Sequence, residues 1–209
     1  MIVFVADIHL DPHDAPARAA FAAWLAARLE QAERIYLLGD LFNYWYSGLE
    51  AVCADLLAAL GDERVSILPG NRDFLLSNQP GLRLVEVEEL PLELDGRRII
   101  LAHGHTLPEG DRGFKFLHAV VWPLLRRLDP RLPLGFKEAL ARHMVGASRV
   151  VRPLRAVIAP DVARRFGAEL VVCGHLHRKI VTPGLIVLPA FEDGGEYLIY
   201  ESGDWRFAS

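Results

Sequence analysis

Met1-Ile2-Val3-Phe4-Val5-Ala6-Asp7-Ile8-His9 opens the chain, an apolar run that ends in a carboxylate and an imidazole two residues apart. Ile2–Ala6 is apolar at every position, which suits a short strand covered on both faces and predicts a buried β-strand. Asp7-x-His9 then falls just past its carboxyl end. The same arrangement recurs four times. Ile35–Leu38 is followed by Gly39-Asp40 and Leu41-Phe42-Asn43, and Val65–Leu68 by Pro69-Gly70-Asn71-Arg72-Asp73. Ile99–Ala102 leads into His103-Gly104-His105, and Leu170–Cys173 into Gly174-His175-Leu176-His177. In open α/β sheets that edge is where ligands bind, and glycine lets the backbone approach them closely.

Between these runs the periodicity changes. Residues 15–32 place Phe21, Trp24, Leu25 and Leu29 on one side of an amphipathic helix, and 49–60 predict a second helix. Further β structure is expected around 83–94 and 97–102. A strand meander is expected over 179–200, turned at Pro183-Gly184 and Gly194-Gly195. Segment 108–166 is Arg-rich and carries Pro123, Pro130, Pro133, Pro153 and Pro160, which predicts several short helices rather than one long one. The expected architecture is α/β, two sheets flanked by helices, as one domain over 1–209 with 108–166 as a helical insertion.

The chain has 209 residues, 52% hydrophobic and 24% charged, a balance that excludes disordered, collagen-like and coiled-coil classes. Its net charge of −4 conceals two opposed parts. Segment 111–166 holds 12 of the 23 Lys/Arg and four acids, or +8, and the remainder is −12. Cys53 and Cys173 lie in apolar runs without a CxxC partner, so buried free thiols in a reducing compartment are expected. The opening run lacks a basic n-region and is too short for a signal peptide, and no apolar stretch of about 18 residues exists to span a bilayer. A cytoplasmic protein is expected, with peripheral contact to a membrane surface left open.

Asp, His and Asn at five strand ends suit a metal site. Asp and His bind borderline first-row ions, an Asn carbonyl adds a neutral oxygen, and no cysteine competes. Residues i and i+2 of an extended segment share a face, so Asp7/His9 and His175/His177 can each aim two ligands into one pocket.

Together, Asp7-x-His9, Gly39-Asp40, Gly70-Asn71-Arg72-Asp73, His103-Gly104 and Gly174-His175-x-His177 resemble the motif set of calcineurin-like metallophosphoesterases. The resemblance spans residues 7–177. It implies a sandwich of two β-sheets and two divalent metal ions, often manganese. Asp7, His9 and His177 would hold one ion, Asn71, His103 and His175 the other, with Asp40 bridging. Two carboxylates against two dications would leave the site at about +2, attractive to phosphate oxygens. The chemistry implied is in-line attack by a metal-bridging hydroxide on a phosphorus clamped between the ions. Arg72 would reach a phosphate oxygen, and Asp73 would support a histidine or the turn. The catalytic set implied is therefore Asn71, Arg72, His103 and Asp73.

Within that superfamily, Asp40-Leu41-Phe42 with Trp45, Gly70-Asn71-Arg72-Asp73-Phe74, and His103-Gly104 with Thr106-Leu107 look like the UDP-2,3-diacylglucosamine pyrophosphatases of lipid A synthesis. The resemblance implies hydrolysis of a UDP-acylated-glucosamine lipid to UMP and an acylated sugar 1-phosphate, under a helical lid. Asp111, Ser148 and Arg155 fall near its substrate-contacting positions, and Arg152, Phe114 and Trp45 join them as candidate substrate contacts. Asn43 stands where that group usually has Glu, His105 where it has Asp, Arg152 where a small polar residue is expected, and Leu176 where it has Thr.

The insertion interleaves Phe114, Phe116, Leu117, Trp122, Leu124, Leu125 and Leu128 with Arg112, Lys115, Arg126 and Arg127, a pattern that suits acyl chains and anionic headgroups or simple packing on the body. Phe114, Phe116 and Trp122 are the candidates for lipid contact. A nucleic-acid or soluble phosphodiester substrate is the alternative, with the +8 segment as a backbone-binding surface. Against it, the remainder is acidic, and no run of aromatics interleaves with basic residues at strand spacing to stack bases. A non-catalytic scaffold ranks last, because every expected ligand is present.

Overall fold

The computed structural model describes every residue except 86, 109–119, 151–156 and 160, with backbone alone for 77, 78, 144 and 146–150. Each of the five apolar runs forms a strand. β1 (Ile2–Val5), β2 (Arg34–Leu38) and β3 (Val65–Leu68) run parallel in one sheet. A second sheet contains the hairpin β4 (Glu89–Leu94) and β5 (Arg97–Ala102), with β5 parallel to β6 (Leu170–Cys173). Asp95 and Gly96, both at positive φ, make the two-residue turn of that hairpin, as its twist requires.

The expected meander over 179–200 is corrected by the structure. β7 (Ile180–Thr182) and β8 (Leu185–Val187) do form a hairpin at Pro183-Gly184, with β8 parallel to β6. The chain then leaves that sheet through a 3₁₀ turn at Phe191–Asp193, and β9 (Tyr197–Glu201) pairs antiparallel with β1 in the other. β10 (Asp204–Ala208) closes that edge, giving the orders β10-β9-β1-β2-β3 and β4-β5-β6-β8-β7. The crossing is fixed by backbone bonds from Phe191 N–H to the Ala6 carbonyl and from Glu192 N–H to that of Asp7, 3.1 and 3.3 Å.

The two-residue pleat explains why these runs are apolar throughout. Phe4, Tyr36, Leu38, Ile99, Leu101, Leu170 and Val172 meet between the sheets. Their neighbours Val3, Val5, Ile35 and Leu37 face the outer side of the first sheet, against Phe21 and Leu25 of α1 (Ala15–Leu29) and Leu56 and Leu60 of α2 (Ala54–Leu60). Ile100, Ala102, Val171 and Cys173 face the outer side of the second, against Val162 and Ala163 of α5 (Val162–Arg165). The order of layers is α, β, β, α. Asp14 caps α1 by accepting from Ala17 N–H at 3.0 Å. Both cysteines are buried free thiols.

The described part of 108–166 contains α3 (Trp122–Leu128), a 3₁₀ turn (Asp129–Arg131) and α4 (Leu134–Val150). At 17 residues, α4 corrects the expectation of short helices only. Pro123 lies in the first turn of α3 and Pro133 precedes α4, where a missing N–H costs nothing, so these prolines delimit helices instead of breaking them. Buried Lys137 of α4 donates to the Ser47 carbonyl and hydroxyl at 2.9 and 2.6 Å and lies 3.5 Å from Asp129, which accepts from Ser47 N–H at 2.9 Å. This network fastens α4 to the loop after β2. Among the described residues no helix is long and apolar enough to cross a membrane.

Candidate metal centre

The carboxyl ends of β1, β2 and β3 in one sheet and of β5 and β6 in the other converge. All seven residues expected to be ligands meet there: Asp7, His9, Asp40, Asn71, His103, His175 and His177. Five of them, Asp7, His9, Asp40, His175 and His177, have φ between 50° and 69°. Among the described residues only two other non-glycine positions share that backbone region. Each costs on the order of 1–3 kcal/mol and persists only where the surrounding fold enforces it. Two glycines make the approach possible. A Cβ at Gly174 would lie 2.5 Å from Asp7 Oδ2, and one at Gly70 only 2.1 Å from Asp40 Oδ1.

Acceptor atoms face one another here. His9 Nε2 is 3.1 Å from His177 Nε2, and Asp7 Oδ1 is 3.4 Å from the latter and 3.8 Å from the former. These three residues form one compact donor group. Asp7, Asp40 and His103 form another. His103 Nδ1–H donates to the Leu38 carbonyl at 2.8 Å, which turns Nε2 inward, 3.0 Å from Asn71 Oδ1 and 3.6 Å from Asp40 Oδ1. Asp40 spans the two groups, its Oδ2 lying 3.9 Å from His9 Nε2. The His175 ring adjoins that of His103, centroids 5.1 Å apart, and the His175 backbone N–H donates to Asp7 Oδ2 at 2.7 Å.

The electrostatics fit cations. Buried Asp7 Oδ1 and His9 Nδ1 have no hydrogen-bond partner, an arrangement that is costly unless an ion satisfies part of the site. Burial pushes His9 and His175 down to about 3, which keeps their nitrogens neutral and available as ligands. Burial and the charge of Asp7 push Asp40 above the usual carboxylate range, although His103 opposes them. For Asp7 burial acts upward, but the adjacent His177 imidazole and the charges of His103 and His9 bring it below its ordinary value. His103 goes the other way: burial opposes its charged form, and Asp40 and Asp7 outweigh it.

Arg72 reaches the rim. Its backbone N–H donates to Asp40 Oδ1 at 2.9 Å, its Nη1 to Asn43 Oδ1 at 3.0 Å, and its Nε lies 3.7 Å from Asp40 Oδ2. Asn43 also donates to the His9 carbonyl at 2.6 Å, so it bridges the guanidinium to the β1 loop. Asp73 is fully buried and accepts from the N–H groups of Leu41, Phe42 and Gly70 at 2.7, 3.2 and 2.7 Å. It clamps the β2 and β3 loops together, and burial, followed by the charge of Asp40, raises it to about 6.

A mostly apolar pocket opens beside Arg72, lined by Tyr44, Trp45, Tyr46, Phe74 and Leu75 of the body and Leu125, Leu132 and Leu140 of the helical segment. Trp45 is thus at the pocket wall, its ring tilted against that of Phe42 with centroids 4.7 Å apart. Trp122 corrects the expectation of lipid contact: it is buried, stacked on Phe74 at 4.4 Å, with His105 5.4 Å away on the same ring. His105 itself lies 3.1 Å from Glu88. Asp111, Phe114, Phe116, Arg152 and Arg155, and the side chain of Ser148, lie outside the described residues. One nearby carboxylate is absent from the sequence-based set. Glu192, on the turn after β8, lies 3.8 Å from both His9 Nε2 and His177 Nδ1. Its signal was weak, because Pro189-Ala190-Phe191 separates it from the apolar run.

The profile of the calcineurin-like phosphoesterase family matches residues 1–179. A UDP-2,3-diacylglucosamine hydrolase of Photorhabdus laumondii is 33% identical over 199 residues, covering 86% of this chain and 82% of that protein. One of Aeromonas hydrophila is 32% identical, covering 98% of this chain and 96% of its own length. Among solved structures, Yfce, a phosphoesterase from E. coli, aligns at 16% identity with a TM-score of 0.47, covering 94% of this chain and 86% of its own.

Proposed function

The chain belongs to the calcineurin-like phosphoesterase family as a metal-dependent hydrolase, and on that premise we propose that it cleaves the pyrophosphate of a UDP-acylated-glucosamine lipid, releasing UMP and an acylated sugar 1-phosphate. The observation that carries the chemistry is the convergence of acceptor atoms from five strand ends. Asp7, His9 and His177 would hold one divalent ion, and Asn71, His103 and His175 a second, with Asp40 between them. The borderline O and N donor set suits Mn²⁺. Two such ions supply Lewis-acid charge to a phosphoryl group and activate water.

The chain's own residues do the rest. Arg72, held by Asn43 and by the charge of Asp40, presents its remaining N–H donors to a phosphate oxygen. Asp73 keeps the two loops that carry Asp40 and Asn71 in register. The apolar pocket beside Arg72 supports an acyl chain alongside the phosphates, and the names of the relatives agree with such a substrate. Asp111, Ser148, Arg152, Arg155 and Phe114 remain proposed contacts on a lid formed by 108–166, within one domain. Val120, Leu124, Leu128, Leu134 and Phe136 are exposed near Arg126, Arg127 and Arg131, which supports peripheral contact with an anionic membrane surface from the cytoplasmic side.

The test offers purified protein with Mn²⁺ three substrates: UDP-2,3-diacylglucosamine, bis-p-nitrophenyl phosphate and single-stranded DNA. Release of UMP from the first is expected. Robust cleavage of the generic ester or the DNA, with none of the lipid nucleotide, would overturn the substrate.

A further inference from the structure

Glu192 reaches the first donor group from a turn that the strand-end pattern does not predict. Its backbone cannot wander. Phe191 N–H is bonded to the Ala6 carbonyl and Glu192 N–H to that of Asp7, and the Phe191 ring packs edge-on against Phe21 and Trp24, centroids 5.7 and 4.9 Å apart. The turn is therefore fastened to the same strand end that delivers Asp7.

The two nitrogens of His177 face different neighbours. Nε2 points inward, 3.1 Å from His9 Nε2 and 3.4 Å from Asp7 Oδ1. Nδ1 lies 3.8 Å from Glu192 Oε1, an oxygen that is also 3.8 Å from His9 Nε2. A neutral imidazole carries one proton, and a ring that offers Nε2 to a metal must carry it on Nδ1. Such a ring is ordinarily oriented by a carboxylate or carbonyl that accepts the Nδ1 proton. The compact donor group of Asp7, His9 and His177 does not include Glu192, and its side chain is 42% exposed. Oε1 is beyond hydrogen-bond distance of both nitrogens, and the exposure of the side chain leaves it room to close on Nδ1.

We propose that Glu192 is the positioning carboxylate of His177, holding its ring with the proton on Nδ1 and Nε2 turned to the ion shared with Asp7 and His9. This rests on the two-metal reading above. It makes the two ions unequal, since Glu192 supports the first and has no counterpart contact at His103, whose Nδ1 is fixed by the Leu38 carbonyl instead.

The experiment is a Mn²⁺ titration of EDTA-treated protein, read by calorimetry and by the free Mn²⁺ signal in electron paramagnetic resonance. Wild type, Glu192→Ala and Glu192→Gln are compared, with circular dichroism as the folding control. In Glu192→Ala one of two sites is expected to weaken by about 10- to 100-fold while the other is unchanged. Glu192→Gln keeps an acceptor oxygen and is expected to restore most of that loss. Two unaffected sites in Glu192→Ala would overturn the proposal and leave the hydrolase reading standing. Equal losses in the two variants would overturn positioning in favour of direct, charge-dependent ligation. Wild-type protein that takes up no Mn²⁺ would overturn the two-metal reading itself.

Discussion

Two regions meet at the apolar pocket, and they are built differently. The strand ends hold Asp7, His9, Asp40, His175 and His177 in left-handed backbone conformations, with buried charges and no room for a Cβ at Gly70 or Gly174. The helical segment from 120 to 150 is fastened through the Lys137–Asp129–Ser47 network, the bond from Arg126 to the Phe74 carbonyl and the Phe74–Trp122 stack, and it leaves Leu124, Leu134 and Phe136 exposed. Strain and charge are concentrated where atoms must be placed to within tenths of an ångström. Exposed apolar surface is concentrated where a flexible hydrocarbon would need only area. If that division holds, substitutions in the first region destroy turnover without unfolding the protein, and substitutions in the second change docking or surface binding and leave the chemistry intact.

The largest expected effect is on the first side. Asp40→Asn should lower the rate on any phosphoester by at least about 10³-fold, roughly 4 kcal/mol of transition-state stabilisation. The metal-free protein should lose no stability, because burial and Asp7 already disfavour the Asp40 carboxylate, and the amide relieves that repulsion. Rates with bis-p-nitrophenyl phosphate and urea unfolding in EDTA check both halves. A variant that keeps its rate would break the assignment of Asp40 to the centre.

Lys137→Met addresses the joint between the regions. It leaves Asp129 buried with the Ser47 N–H and no cation, a loss of about 3 kcal/mol by the usual cost of a broken buried pair. Urea unfolding and limited proteolysis of the helical segment should register it. KM for the lipid nucleotide should rise, while kcat on the generic ester stays within about twofold, since the network touches neither donor group. An equal fall on both substrates would mean that the helical segment also organises the metal centre.

The two regions also differed in legibility. Every proposed ligand was visible in the sequence, because a short apolar run followed by Gly and Asp, Asn or His is a local signal that survives without tertiary context. Layer order was legible too, since runs apolar at every position require cover on both faces. The destination of β9 was not: nothing in 179–200 distinguishes a third strand of the meander from a strand that crosses to the other sheet, and the choice depends on the distant backbone of Ala6 and Asp7. For Trp122 the sequence leaves lipid contact and packing on the body both open, because its stacking partner, Phe74, lies 48 positions away in the chain. Asp73 offered two roles in sequence, and only the folded loops show its oxygens on three backbone N–H groups.

A pH experiment sharpens the electrostatic side of the comparison. His175 is pushed down to about 3 in the folded chain by burial, whereas an unfolded imidazole takes its proton near 6.5. Between those values the unfolded chain binds the extra proton, so this group's contribution is fully present above about pH 6.5 and is lost as pH falls, at about 1.4 kcal/mol per pH unit. His175→Gln removes that loss. In EDTA, unfolding free energies at pH 7 and pH 5 should therefore differ less in the variant than in wild type, by roughly 2 kcal/mol. An unchanged difference would mean that His175 titrates normally and is not held neutral for a ligand role.

The smallest effect on stability should accompany the clearest effect on surface binding. Leu124 and Phe136 are 54% and 55% exposed, so replacing both with Ser removes little buried area and should move the unfolding free energy by no more than about 0.5 kcal/mol each. If these side chains enter the boundary of an anionic bilayer, each loses on the order of 1.5 kcal/mol of transfer free energy when replaced, about tenfold in partitioning. Co-sedimentation with phosphatidylglycerol vesicles should then fall by at least about tenfold in the double variant, with turnover of a soluble ester unchanged. Reversing Arg127 to Glu would reduce vesicle binding in a salt-dependent way, which separates the electrostatic from the apolar share. Full binding by the Ser variant would mean that this exposed surface serves no membrane, and the division between a rigid chemical region and an adaptable apolar one would then end at the pocket wall.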